Sequence, residues 1–164
     1  MPDLFTKFGG HRQAAGLTLR AAAVPDFQHR FNTFAKGKLA SDDLRPQYTV
    51  DAAADFPELS ERCIRQVLSL GPFGFGNPSP VFLCEDVEVA GPLKTLREGK
   101  HFSIPLRKEG RILFCKAWNF GDRSDLFEPG AKLDILFQIE DDPMSRKRGY
   151  GSWCLSLKDV RRSG

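Results

Sequence analysis

Apolar and polar positions follow two different periods along this chain, helical in the first half and mostly two in the second. Phe27, Phe31, Phe34 and Ala35 fall at i, i+4, i+7 and i+8, the spacing of one buried helical face. Val24-Pro25-Asp26 opens that helix and Gly37 stops it. Residues 39–46 are polar and loop-like, after which Tyr48, Val50 and Ala52 alternate as a strand does. A second helix is predicted next. Pro57 suits its first turn, Glu58 and Glu61 suit the positive end of its dipole, and Leu59, Cys63, Ile64, Val67 and Leu68 form its apolar stripe up to Gly71-Pro72.

Beyond Gly76-Asn77-Pro78 the pattern predicts strands over Val81–Val89, Lys100–Leu106, Arg111–Trp118, Lys132–Ile139 and Trp153–Val160. The alternation is clearest in Phe102/Ile104/Leu106, Leu133/Ile135/Phe137 and Trp153/Leu155/Leu157, and Phe120–Phe127 has room for about two helical turns. Three strands, a short helix and two strands is the order of an oligonucleotide-binding (OB) fold, a pattern other small barrels share. The fold class expected is therefore α+β, with a helical first part over 1–76 and a small barrel over 77–164, for which a five-stranded OB barrel is one candidate.

Charge adds a location to this outline. The net charge of +3 and pI near 8.7 are mild, compatible with a polyanionic partner without requiring one. Between Lys94 and Lys116, however, lie Lys94, Arg97, Lys100, Arg107, Lys108, Arg111 and Lys116 against only Glu98 and Glu109. Arg146-Lys147-Arg148 forms a second cluster before the last strand. Small barrels bind single strands through a basic groove with aromatic platforms, so Lys94, Arg97, Lys100, Arg107, Lys108, Arg111, Lys116, Trp118, Arg146, Lys147, Arg148 and Tyr150 are candidate contacts. Phe102 and Trp153 fit the apolar faces of their strands and are expected in the core.

Other features are less specific. Cys63, Cys84, Cys115 and Cys154 are irregularly spaced without a CxxC pair, which indicates reduced core thiols and no zinc site. No stretch approaches the roughly 20 apolar residues of a membrane span, and Met1-Pro2-Asp3 opens no signal peptide, so a cytoplasmic location and no membrane partner are expected. Asp42-Asp43 and Asp141-Asp142 read as solvated loop acids, Glu85-Asp86 precedes or enters a strand, none of the three reads as a metal site, and His29 reads as an exposed helix residue. His101 begins a strand beside Lys100 and is a surface residue or a nucleic-acid contact. Phe73-Gly74-Phe75-Gly76-Asn77-Pro78 lacks a Walker lysine and is expected to wedge Phe73 and Phe75 between the second helix and the barrel.

Gly9-Gly10-His11 is the most informative triplet. Adjacent glycines permit positive φ and close approach to the main chain, and a short helix starting after them would aim free N–H groups at a phosphate. His11 adds a side chain that can donate to a phosphate oxygen. By itself the triplet is better read as a plain glycine turn with a surface histidine.

Its surroundings extend the reading. Lys7-Phe8-Gly9-Gly10-His11-Arg12-Gln13-Ala14-Ala15-Gly16-Leu17-Thr18-Leu19 resembles the signature of the DHH-associated domain of the DHH phosphoesterases, in the form carried by RecJ-like exonucleases. Gly71-Pro72-Phe73-Gly74-Phe75-Gly76-Asn77-Pro78-Ser79-Pro80-Val81-Phe82 is similar to the junction where those enzymes enter their barrel. The resemblance implies the C-terminal portion of a DHH-associated α/β domain followed by the barrel, in a 5′→3′ exonuclease specific for single-stranded DNA that acts in repair and recombination. It implies that Gly9, Gly10 and His11 hold the scissile phosphate, with Arg12 as a charged neighbour. It also implies two divalent ions, Mn2+ or Mg2+, in a separate N-terminal DHH domain. No Asp-His-His occurs here, so this chain is expected to bind no metal and to be inactive alone, as the C-terminal part of an enzyme. Expected partners are single-stranded DNA, that DHH domain and a single-strand-binding protein. The alternatives are a stand-alone single-strand-binding or partner-docking module, or a fragment of a DHH oligoribonuclease.

Overall fold

The computed structural model describes residues 2–96, 99–143 and 152–164, with the side chains of residues 41 and 42 left aside. It divides into two compact units, Met1–Gln47 and Tyr48–Gly164.

The first unit is a hairpin and a helix. Strands β1 (Phe5–His11) and β2 (Ala14–Leu19) pair antiparallel, with Gly9 opposite Gly16, Gly10 opposite Ala15 and His11 opposite Ala14. Helix α1 (Val24–Lys36) has Pro25 at its start and carries Asp26 in its first turn and Lys36 in its last, in accord with its dipole. Its predicted apolar stripe forms, but no described residue of the unit is buried. Phe27 meets Phe31 and Phe5 in a half-open aromatic cluster, with ring centroids 5.5 and 5.7 Å apart.

The second unit holds the core. Phe56 and Leu59 lie in and just after a 3-10 turn at Phe56–Glu58, where the Asp55 N–H donates to Glu58 Oε2 at 2.7 Å, and both are buried. Pro57 belongs to this turn and not to the helix proper. Helix α2 (Glu61–Ser69) starts at Ser60, whose hydroxyl accepts from the Cys63 N–H, and it buries Ile64. Of the strand expected near residue 50, only β3 (Ala52–Ala53) forms, parallel to β4 (Phe82–Val89). Then follow β5 (Lys94–Leu96), β6 (His101–Lys108), β7 (Arg111–Ala117), a 3-10 segment at Gly121–Phe127, β8 (Lys132–Asp141) and β9 (Trp153–Arg162). β5 was not predicted, being only three residues long.

These strands form one mixed sheet in the order β3-β4-β8-β9-β7-β6-β5, with an additional pairing of β4 to β6 through Glu88 and Val89. The β7–β9 pairing is parallel, and the β4–β8, β8–β9 and β6–β7 pairings are antiparallel. Glu109 and Gly110 both have positive φ (48° and 76°), the requirement of a tight two-residue turn joining β6 to β7. The inward residues alternate as predicted on β6 (Phe102, Ile104 and Leu106) and on β7 (Leu113, Cys115 and Ala117), whereas β9 buries Cys154, Leu155, Ser156 and Leu157 in succession. Burial pushes the Cys84 thiol up to about 12 and the Cys154 thiol up to about 11, so both stay protonated at neutral pH.

The change of period suggested a division at Gly76/Asn77, whereas the compact units divide after Gln47. The physical reason is that Phe56, Leu59 and Ile64 are buried in the same core as the strands. Phe73 is partly shielded, but Phe75 is 99% exposed, so it does not wedge α2 against the sheet. Asn77 orders that loop instead, its side-chain amide donating to the Leu70 and Pro72 carbonyls.

Candidate nucleic-acid interface

A strand exposes every second side chain, so the burial of Phe102, Ile104 and Leu106 turns His101, Ser103, Pro105 and Arg107 outward on β6. The same rule turns Ile112, Phe114, Lys116 and Trp118 outward along β7, where Ile112, Phe114 and Trp118 are 45%, 43% and 39% exposed. The register sets these residues in rows. Lys94 of β5 lies opposite Ser103, which lies opposite Lys116, and Pro105 lies opposite Phe114. The outer face of β5, β6 and β7 thus combines ammonium groups with half-exposed rings.

Trp118 is held from two sides. The His101 ring stands edge-on to it at 5.2 Å, and the Lys116 ammonium lies 5.8 Å from its ring centroid. His101 Nδ1 accepts from the Asn119 N–H at 2.9 Å, which fixes the turn leaving β7 and leaves Nε2 of a neutral ring to carry the proton. Lys116 Nζ in turn sits 2.7 Å from Asp142 Oδ2.

The structure sorts the predicted basic residues. Lys94 is exposed at the edge of this face, and Lys100 is exposed in the turn just before β6. Arg107 is outward and paired with Glu88 at 3.0 Å. Lys108 and Arg111 do not join the face, because they share the inward parity of Leu106 and Leu113. Lys108 donates to the Glu85 carbonyl at 2.8 Å, and Arg111 donates to the Phe56 carbonyl at 2.8 Å, tying the Phe56 segment to the sheet. Arg97, Arg146, Lys147, Arg148 and Tyr150 lie outside the described residues. Ile112 and Phe114 were missed from sequence, although their shared parity with Lys116 and Trp118 was the signal that could have found them.

The Gly9-Gly10-His11 segment departs from expectation. It ends a β strand, neither glycine has positive φ, and β2 starts at Ala14, so no helix N-terminus follows. Gly10 is needed for another reason: a Cβ there would lie 2.7 Å from the Ala14 carbonyl oxygen across the hairpin. At Gly9 the added Cβ would meet nothing within 4 Å, so its main chain is open to approach. His11 and Arg12 are exposed at the hairpin tip. The Gln13 N–H donates to His11 Nδ1 at 3.2 Å, which leaves Nε2 as the outward donor of the neutral ring. Among the described residues no group of three or more His, Cys, Asp or Glu side chains is gathered as a metal site, and no helix is long and apolar enough to cross a membrane.

Comparison with known proteins bears on this face directly. The chain is 30% identical over 146 residues to the single-stranded-DNA-specific exonuclease RecJ of Bacillus subtilis strain 168, which covers 89% of this chain and 19% of that protein. It is 33% identical over 120 residues to the exonuclease of the same name from Thermus thermophilus, covering 73% and 17%. The crystal structure of RecJ in complex with Mg2+ from Thermus thermophilus superposes with a TM-score of 0.68 over 99% of this chain and 24% of that one, at 24% identity, a likeness of fold. The chain thus spans about a fifth of the length of these relatives. Residues 50–150 match the family described as the RecJ OB domain, a stretch that includes the whole outer face of β5, β6 and β7, and on that match the chain belongs to the RecJ OB domain family.

Proposed function

We propose that this chain supplies the DNA-contacting part of a RecJ-like 5′→3′ exonuclease of DNA repair and recombination, with a five-stranded OB barrel that binds single-stranded DNA and a Gly9-Gly10-His11 hairpin that contacts the phosphate being cut. The observation that carries the reading is the outer face of β5, β6 and β7, where exposed Lys94 shares a row with Lys116, and Phe114 and Trp118 stand half-exposed on either side of Lys116. Unspecific single-strand binding needs cationic groups for the backbone and rings for the bases. The β4–β6 pairing supports closure of the barrel, since it returns the strand order to its start.

The hairpin's part rests on open main chain at Gly9 and on the outward Nε2 of His11. In this reading the divalent ions, Mn2+ or Mg2+, belong to a DHH domain, and they would clamp the attacking and leaving oxygens of the phosphodiester. Among the described residues none are gathered as a metal site, and the part proposed for this chain is binding and orientation. The exposed apolar side of α1, with Phe31 and Phe34 half-exposed, would pack on the rest of the DHH-associated domain.

Fluorescence anisotropy of a labelled oligodeoxythymidylate titrated with the full chain tests the reading. Binding that weakens as salt rises, lost on substituting Trp118 and Lys94, is expected, because phosphate contacts release counterions. Binding indifferent to salt, or unaffected by those substitutions, overturns it. Hydrolysis of the oligonucleotide by this chain with Mn2+ would overturn the assignment of the metals to another domain.

A further inference from the structure

Lys116 stands at the centre of the proposed DNA face, yet its ammonium is already engaged. Asp142 is 6% exposed and reaches the end of the lysine at 2.7 Å, while the Lys116 side chain is only 23% exposed. The Asp142 N–H donates to the Ser152 carbonyl, which fastens the carboxylate to the start of β9. The same ammonium lies 5.8 Å from the Trp118 ring centroid, and the indole is braced on its other contact by His101. A charge paired with a nearly buried carboxylate brings little net counterion release when a phosphate approaches, and separating the pair takes a charged partner from a desolvated carboxylate. Lys94, in the same row and exposed, has no such partner among the described residues.

We propose that Asp142 is a positioning residue of the DNA face. It holds Lys116 against Trp118, so that Lys116 braces the indole and does not contact phosphate. This corner of the face then binds DNA through the ring, and the charge-dependent part of binding comes from residues such as Lys94 and Lys100. The inference rests on the proposed single-strand binding and divides the work among its residues.

The test is the slope of log K against log salt for an oligodeoxythymidylate, measured by anisotropy over a range of KCl with the wild-type chain, Lys116→Met and Asp142→Asn. Met keeps much of the apolar stem and removes the charge. Lys116→Met is expected to weaken binding at every salt concentration by about fivefold, as loss of a cation–π brace predicts, with the slope unchanged. Asp142→Asn releases the ammonium toward the DNA and steepens the slope by about 0.7, the value for one further phosphate contact on a single strand. Thermal melting shows whether each variant is folded. If Lys116→Met makes the slope shallower by about 0.7, Lys116 is a phosphate contact and the inference fails while the DNA reading stands. If Lys116→Met changes neither affinity nor slope, the brace is refuted. Failure of the wild-type chain to bind with any salt dependence sinks the DNA reading, and this inference with it.

Discussion

The hairpin-and-helix unit over Met1–Gln47 and the sheet unit over Tyr48–Gly164 both carry many aromatic residues but put them to opposite use. In the sheet unit Phe56, Phe102, Phe127 and Phe137 are nearly or wholly withdrawn from water, whereas in the first unit Phe8, Phe31 and Phe34 are each half-exposed or more. Regular secondary structure therefore forms in both, but only one has a core to hold it. Helical stability in proteins comes mainly from packing an amphipathic face, and α1 has the face without the packing. The two candidate DNA elements sit on these unequal supports: Trp118 at the end of a strand of the packed sheet, His11 at the tip of a two-stranded hairpin, a motif that is marginal by itself.

The largest effect that would break this contrast is on stability. Phe137 is fully buried, with its ring 5.6 Å from that of Phe82. Phe137→Ala is expected to cost about 3–5 kcal/mol, enough to abolish the main cooperative transition in a denaturant melt. Phe31→Ala should leave that transition within about 0.5 kcal/mol. A large loss from Phe31→Ala would mean that the first unit shares the stability of the second.

Next in size is binding. Each stacked base is worth roughly 1–3 kcal/mol, so Trp118→Ala should weaken oligodeoxythymidylate binding by about fivefold to 150-fold. His11→Ala should leave the same binding within about twofold to fivefold, since one neutral hydrogen bond at an exposed tip contributes about 1 kcal/mol or less. Anisotropy with both variants decides it. Equal losses would show that the hairpin contributes as much to single-strand binding as the sheet, and a larger loss from His11→Ala would make the hairpin the principal contact.

The same contrast governs what the sequence disclosed. Period-two alternation located β4, β6, β7, β8 and β9 to within a few residues because burial on one face leaves a plain record in residue type. It failed at Gly9-Gly10-His11, where glycine is compatible with a phosphate turn or with a tight cross-strand approach, and only the position of the Ala14 carbonyl distinguishes them. It also failed at Lys108 and Arg111. Long side chains at strand ends can leave the core side and bond to distant carbonyls, and the partners, Glu85 and Phe56, are distant in sequence. Conversely, Phe114 and Ile112 were passed over because apolar residues are expected inside, though parity with Lys116 placed them outside. The pairing of Lys116 with Asp142 spans 26 positions and has no local signature.

The smallest predicted effect compares one carboxylate–guanidinium pair in each unit. Asp3 receives a hydrogen bond from Arg30 at 3.0 Å, with both side chains exposed. Asp134 is nearly buried and accepts from the Asp86 N–H at 3.0 Å, the Ser163 hydroxyl at 2.8 Å and Arg161 Nε at 3.0 Å. Burial pushes the Asp134 carboxyl up, but those donors, the Asp86 N–H first, outweigh it and hold the group below the usual carboxylate range. A carboxyl with a depressed folded-state value stabilises the fold above its unfolded value and loses that contribution as pH falls through the folded one. Asp134→Asn should therefore lower the melting temperature near pH 7 by a few degrees, an effect of about 1 kcal/mol. The gap from wild type should begin to close as pH drops below 3.8, the ordinary value for this carboxyl. Asp3→Asn should leave the main transition where it is at every pH, because exposed pairs contribute little and the unit that holds it has no buried residue among those described. A pH-dependent loss from Asp3→Asn as large as that from Asp134→Asn would place the first unit inside the cooperative fold of the second.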